Sequence, residues 1–151
     1  RDQAVKGVRR AVAIAGTLGV DGVLLHPGQL TVEGTYQQAW DDLRDALRDL
    51  TAEAGDQGVR IGVENVWNKF ILSPREAVQF VDEVGSDWVG IYLDTANMMA
   101  YGFPEQWIRA LGPRIEGPLQ GFCSTPTQLC ESSRWRYGLA NHHVRTARRR
   151  L

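Results

Sequence analysis

The feature that most constrains this chain is a regular alternation of short apolar segments with longer amphipathic ones. The short segments, residues 22–26, 60–64 and 88–93, are bounded by glycine, proline or polar residues and are typical of buried strands. They recur about every 30–40 residues, which is the size of a βα unit. The order therefore predicts an α/β fold in which a parallel sheet is covered by helices.

Four helices are predicted between and around these strands. The first spans residues 3–18 and the second residues 35–54, with the segment 55–58 ending it at glycines. The third begins at Ser73-Pro-Arg-Glu76, which combines an N-cap serine, an early proline and a capping-box glutamate. The fourth begins at Phe103-Pro104 and ends at Gly112-Pro113.

Two architectures fit this order of elements, an open doubly wound sheet and a (β/α)8 barrel. No G-x-G-x-x-G motif follows any of the strands, which weakens the dinucleotide-binding alternative. A complete barrel needs roughly 250 residues, whereas the chain has 151. If the fold is a barrel, the chain is therefore a partial (β/α)8 TIM barrel with three or four βα units, about half of a complete one.

The charge distribution suggests a boundary near residue 116. Residues 1–115 carry 11 basic and 16 acidic side chains, whereas residues 116–151 carry six and two and show no periodicity. We expect residues 1–115 to form the partial barrel and residues 116–151 to be an atypical, poorly packed tail. No apolar run is long enough for a membrane span, no secretory signal is seen, and the two cysteines suggest a reducing compartment, so the expected location is cytoplasmic.

Polar residues capable of binding a metal follow each of the three strands. They are His26 after the first strand, Glu64 and Asn65 after the second, and Asp94 and Asn97 after the third. Because parallel strands bring their carboxyl ends to one edge, we expect His26, Glu64 and Asp94 to converge there. Carboxylates and an imidazole suit a divalent metal such as Mn²⁺ or Zn²⁺. The alternatives are structural: a loop cap at Glu64, an N-cap at Asp94 for residues 95–100, and a turn histidine at His26.

Three strings carry a family resemblance. They are Leu24-Leu-His-Pro-Gly28, Ile61-Gly-Val-Glu-Asn-Val-Trp-Asn-Lys-Phe70 and Val89-Gly-Ile-Tyr-Leu-Asp-Thr-Ala-Asn97. In this order they resemble the sugar phosphate isomerase/epimerase family of xylose isomerase-like TIM barrels, and the resemblance covers roughly residues 1–115.

The resemblance implies a site and a reaction. Glu64 would be a metal ligand and the catalytic acid/base, and Asp94 the second ligand. Four residues would lie near a sugar or sugar phosphate substrate: His26, Trp67, Asn68 and Asn97. The metal would be Mn²⁺ first, with Zn²⁺, Mg²⁺ or Co²⁺ as alternatives. Proton transfer next to a carbonyl would pass through an ene-diolate, with Glu64 taking the proton.

The sequence departs from the family pattern after Ile115. The family's third ligand, a histidine, is expected on the next strand, and a glutamate that serves as fourth ligand and opposing acid/base near the end of the barrel. The segment from Glu116 contains no histidine before His142, and no later glutamate fits the pattern. We therefore expect this chain to be truncated and weakly active or inactive, and a homo-oligomer is left open.

Two other functions are compatible with the same residues. One is an AP endonuclease-like metal hydrolase, but residues 1–115 contain only His26 as a histidine and their negative charge opposes binding to a phosphate backbone. The other is a non-catalytic, degenerate half-barrel. In the tail, Cys123, Cys130, His142 and His143 lack the usual spacing of a zinc site. A terminal arginine run is more often solvated, so no nucleic-acid partner is expected.

Overall fold

Three parallel strands form the sheet in the computed structural model, which describes residues 2–99 and 102–116. In chain order the elements are α1 (Asp2–Leu18), β1 (Gly22–Leu25), α2 (Tyr36–Gln57), β2 (Arg60–Glu64), α3 (Pro74–Val84), β3 (Val89–Tyr92), α4 (Thr95–Met98), α5 (Pro104–Leu111) and a 3₁₀ turn (Gly112–Arg114). The strands lie side by side in the order β1-β2-β3. The predicted α/β alternation and the three predicted strands are therefore confirmed.

The register of the sheet brings the ends of the strands level with one another. Leu25 pairs with Val63 at the end of the β1–β2 ladder, and Glu64 pairs with Tyr92 at the end of the β2–β3 ladder. Because both pairs are parallel, the residues that follow each strand leave the sheet at the same edge. This edge is where the predicted site residues lie.

One face of the sheet is covered by the helices. Ile61, Val63, Val89 and Ile91 are buried on this face, and α2, α3 and α5 cover it with buried residues at helical spacing. These helix residues are Trp40, Leu47, Leu50, Ala54, Ala77, Phe80, Val81, Val84, Trp107 and Leu111. On the other face Leu24 of β1 is 47% exposed. At β1 burial is thus one-sided, whereas β2 and β3 are buried on both faces.

The ends of α3 follow the sequence signals closely. The Ser73 hydroxyl accepts a hydrogen bond from the Glu76 backbone N–H, and Gly85 ends the helix in the left-handed conformation. Glycine adopts that conformation without the steric cost that a side chain would add. This predicted start and stop are both confirmed.

The predicted end of α2 is confirmed in part, because Gly58 of the segment 55–58 is the C-cap but the helix does not end at residue 54. The helix continues through Gly55 to Gln57, and the left-handed residue is Gly58 at φ +64°. A Cβ added at Gly55 would lie 2.9 Å from Nε1 of Trp88. Gly55 therefore permits close packing of the helix against this indole and does not end the helix.

The described region ends beside β3. Ile115 forms a parallel bridge with Ile91, and the Glu116 N–H donates to the Ile91 carbonyl at 2.8 Å. Ile115 and Glu116 therefore occupy the place beside β3 where a further parallel strand is expected. The predicted tail lies outside the described residues except for Glu116. None of the helices in the described part is long and apolar enough to cross a membrane.

Candidate active site

Three of the predicted site residues come together at the carboxyl edge of the sheet. Glu64 ends β2, His26 directly follows β1, and Asp94 lies two residues beyond β3. The charges of Asp94 and of His26 both act on the Glu64 carboxyl group. The parallel topology thus brings His26, Glu64 and Asp94 within electrostatic range although they are far apart in sequence.

Glu64 is a half-buried carboxyl group with a perturbed acidity. Burial raises the pKa of Glu64 above its ordinary value, the negative charge of Asp94 raises it further, and His26 acts in the opposite direction. Both of the raising effects disfavour the charged carboxylate. A carboxyl group whose pKa lies closer to neutrality is better suited to accept and return a proton.

Asp94 is buried and serves as the N-cap of α4. Its Oδ1 accepts a hydrogen bond from the Asn97 backbone N–H at 2.9 Å, so the structural alternative raised by the sequence does occur. The structure shows no partner for Oδ2 among the described residues. One oxygen of Asp94 therefore caps the helix while the other remains for a ligand.

Asn65 and Asn97 join the two strand ends. The Asn65 side chain is 4% exposed, its Nδ2 donates to the Asp94 carbonyl at 2.8 Å, and its Oδ1 accepts from the Asp94 N–H at 2.6 Å. Nδ2 of Asn97 donates to the Asn65 carbonyl at 2.9 Å. From the sequence, Asn65 was identified only as a polar residue after the second strand. Its position next to Glu64 was the signal that could have indicated a role at the site.

His26 is exposed and its ring orientation is set locally. The Gly28 N–H donates to Nδ1 of His26 at 3.1 Å. When the ring is neutral, an Nδ1 that accepts this bond leaves the proton on Nε2. The imidazole can therefore donate a hydrogen bond from Nε2 to an oxygen at this edge.

The loop between β2 and α3 carries two more of the predicted residues. Trp67 is 68% exposed, and its Nε1 donates to the Asn97 carbonyl. Asn68 is buried, its Nδ2 donates to the Gly28 carbonyl at 2.7 Å, and its Oδ1 accepts from the Phe70 N–H at 3.1 Å. The Asn68 side chain thus ties the β2 loop to the β1 loop.

The far end of the same loop is held in an uncommon backbone conformation. Lys69 and Ile71 have φ values of 63° and 52°, a region that is unfavourable for a β-branched residue such as Ile71. The Ile71 N–H donates to the Tyr36 hydroxyl at 2.9 Å, and this hydroxyl donates to Oε1 of Glu76 at 3.0 Å. Contacts from α2 and α3 therefore hold the loop that carries Trp67.

The sequence profile of the xylose isomerase-like TIM barrel family matches residues 1–117. The chain belongs to this family. The resemblance inferred from the three strand-end strings is therefore confirmed. None of the curated proteins compared matches the chain significantly.

Solved structures of xylose isomerase-like barrels share the fold. A D-psicose 3-epimerase from Clostridium cellulolyticum H10, solved with D-tagatose, has a TM-score of 0.71 at 22% identity, covering 80% of this chain and 45% of its own. A xylose isomerase domain protein from Planctomyces limnophilus has a TM-score of 0.62 at 21% identity, covering 75% and 40%. The IolI protein, solved with a binding zinc atom, has a TM-score of 0.64 at 23% identity, covering 80% and 47%.

These matches confirm the partial-barrel prediction. The chain spans less than half the length of each of these three structures. At 21–23% identity, this similarity establishes the fold alone.

The donor set at the sheet edge fits a divalent cation only in part. Within residues 2–99 and 102–116, no group of three or more His, Cys, Asp or Glu side chains is arranged to hold a metal ion. Glu64 and Asp94 nevertheless supply carboxylate oxygens, which suit cations such as Mn²⁺ and Mg²⁺, and a cation beside them would relieve the repulsion that raises the pKa of Glu64. With no third donor of this kind among the described residues, a cation at this pair would be held weakly.

Proposed function

We propose that the chain carries part of the active site of a metal-dependent sugar isomerase or epimerase, with Glu64 as its acid/base. The observation that carries the proposal is the position of Glu64 at the carboxyl edge of a parallel sheet, where the charges of His26 and Asp94 act on it. The raised pKa of its carboxyl group, caused by burial and by Asp94, supports the same role. This edge is where active sites lie in barrels of this type. Membership of the xylose isomerase-like family supports the same kind of reaction.

The reaction would begin with proton removal from a carbon next to the substrate carbonyl. Glu64 would take this proton as the general base, leaving an ene-diolate of the sugar. The same carboxyl group would return the proton in the reverse reaction, for which a pKa near the working pH is favourable. Return to the opposite face of the same carbon gives an epimer, and return to the neighbouring carbon gives an isomer.

A divalent cation would be held by Glu64 and Oδ2 of Asp94. When bound, it would polarise the carbonyl and the neighbouring hydroxyl oxygens of the substrate. Mn²⁺ is our first choice because the family resemblance implies it and carboxylate oxygens suit it. Zn²⁺, Mg²⁺ and Co²⁺ are alternatives for the same donors.

The substrate would be a sugar or sugar phosphate contacted by residues around this edge. His26 would donate from Nε2 to a hydroxyl oxygen, and the exposed ring of Trp67 would offer an apolar face to the sugar ring. Asn97 would line the site from the start of α4. Asn68 would contribute by holding the Trp67 loop in place, because both ends of its amide are bonded to backbone groups.

The test is proton exchange between candidate ketoses and deuterated water. The 151-residue chain is incubated with Mn²⁺ and each ketose, and deuterium incorporation is followed by NMR, with Glu64→Gln as the matched control. We expect little or no exchange from the chain alone, and exchange when a second barrel half bearing a histidine and a glutamate is added. Exchange that survives Glu64→Gln would contradict the role of Glu64, and none after addition of the second half would contradict the proposed reaction.

A further inference from the structure

Asn65 makes an unusual pair of hydrogen bonds to another residue's backbone. Its side-chain amide donates to the Asp94 carbonyl and accepts from the Asp94 N–H, at 2.8 and 2.6 Å. Both bonds are buried and join positions 29 residues apart. An amide is suited to this contact because it offers a donor and an acceptor side by side.

The contact continues through Asn97 to the carboxylate itself. Asn97 donates from Nδ2 to the Asn65 carbonyl, and it donates from its backbone N–H to Oδ1 of Asp94. Asn65, Asp94 and Asn97 thus form a closed ring of hydrogen bonds. Within this ring, Asn65 fixes the backbone of Asp94, and Asn97 fixes one oxygen of its carboxyl group.

We propose that Asn65 is a positioning residue for Asp94, holding its carboxylate beside Glu64 so that the two can share a divalent cation. The cation part of this inference rests on the proposed function. The geometric part stands on the hydrogen bonds alone. Buried polar groups that orient metal ligands typically change metal affinity roughly 10–100-fold when they are removed.

A purely structural role makes a different prediction. If Asn65 only satisfied two buried backbone groups, its loss would lower global stability without a specific effect on the Asp94 carboxylate. A matched control is therefore a variant that loses stability elsewhere. Val84→Ala is suitable because Val84 is 5% exposed and lies in the last turn of α3, on the side of the fold away from this edge.

The first measurement needs no metal. Hydrogen exchange of the Asn97 amide is followed by NMR in wild type, Asn65→Ala and Val84→Ala, using the full chain, because this amide reports the bond to Oδ1 of Asp94. We expect exchange in Asn65→Ala to be at least about 10-fold faster than in Val84→Ala, because only Asn65→Ala removes buried hydrogen bonds of the ring that protects this amide. Equal exchange in the two variants would overturn the proposal. Asn65→Gln, which keeps the amide but moves it by one methylene, is judged by the same criterion if Asn65→Ala does not fold.

The second measurement is Mn²⁺ affinity, followed by electron paramagnetic resonance in a double-mutant cycle. Asn65→Ala should weaken Mn²⁺ binding about 10-fold in the wild-type background and much less in Asp94→Asn, because the two changes act on the same ligand. Equal losses in both backgrounds would overturn positioning through Asp94. If wild type itself does not bind Mn²⁺, the proposed function fails, and the exchange of the Asn97 amide still decides the positioning role.

Discussion

Removing the hydroxyl group of Tyr36 should loosen the loop that carries Trp67. In the structure this hydroxyl accepts from the Ile71 N–H and donates to Glu76, whose other oxygen accepts from the Leu72 N–H at 2.8 Å. Tyr36→Phe removes the first two of these bonds. It retains the ring, which packs 5.1 Å from that of Phe70, so the hydrophobic packing is preserved.

The magnitude expected for Tyr36→Phe follows from the two hydrogen bonds that the hydroxyl group makes. Loss of a hydrogen bond to a carboxylate, with an N–H left without its partner, costs about 2 kcal/mol. Burial raises the pKa of Tyr36 from 10.0 to about 12, so the folded chain favours the neutral phenol, which is the form that donates to Glu76. We therefore expect a loss of about 2 kcal/mol and a fall in Tm of roughly 8 °C.

The same reasoning predicts how the loss depends on pH. Below the ordinary tyrosine pKa of 10.0 the phenol is neutral in the folded and unfolded chains, so the full stabilisation is present. As the pH rises toward about 12, the unfolded chain releases this proton first and wild-type stability falls. The difference between wild type and Tyr36→Phe should therefore narrow across this range.

The assay is urea unfolding followed by circular dichroism, at about pH 8 and about pH 11, on either side of the ordinary tyrosine pKa. Tyr92→Phe is the matched control, since the structure shows no hydrogen bond of the Tyr92 hydroxyl among the described residues. If Tyr36→Phe is as stable as wild type at the lower pH, or if the difference is the same at both pH values, the reasoning is refuted.

Two further predictions concern Glu64 and Gly55. Glu64→Gln should raise the Tm by a few degrees at neutral pH, because the neutral amide avoids the burial cost and the repulsion from Asp94 that raise the pKa of Glu64. As the pH falls toward the ordinary glutamate value, the folded carboxyl group becomes protonated first, so the gain should shrink across this range and be lost below it. Urea unfolding between about pH 3.5 and 8 checks this. Gly55→Ala should destabilise the fold by about 1 kcal/mol because its Cβ would meet the Trp88 indole. Gly7→Ala in α1 is the control and should stabilise the fold by up to about 1 kcal/mol, because a Cβ there meets nothing within 4 Å. Thermal melts that rank the two variants in the reverse order would contradict this.

Most of the fold could be predicted from the sequence because local signals and tertiary packing agree. Ser73 and Gly85 mark the ends of α3 through hydrogen bonds and backbone conformations that depend only on neighbouring residues. Gly55 shows where such signals fail. A glycine at this position resembles a helix stop. Its role depends instead on Trp88, which lies just before β3. No local sequence pattern encodes the approach of this indole to the helix.

Convergence at the sheet edge could be predicted for a different reason. Once the strands are parallel, the positions after their carboxyl ends must meet, whatever the side chains are. Hydrogen-bond partners do not follow from topology in this way. Asn65 bonds to Asp94 and Asn68 bonds to Gly28, and each partner depends on the path of a loop 29 or 40 residues away.

Asp94 shows that cap and ligand need not be competing roles. The sequence raised them as alternatives, but a carboxyl group has two oxygens, and the cap occupies only Oδ1. Capping at Oδ1, together with the Asn65 bonds to the backbone, restricts rotation of the carboxyl group and so fixes where Oδ2 lies. Less conformational freedom is then lost when a cation binds. The structural role of Asp94 thus favours the proposed ligand role. For a carboxyl group at a strand end, the role of each of its two oxygens has to be considered separately.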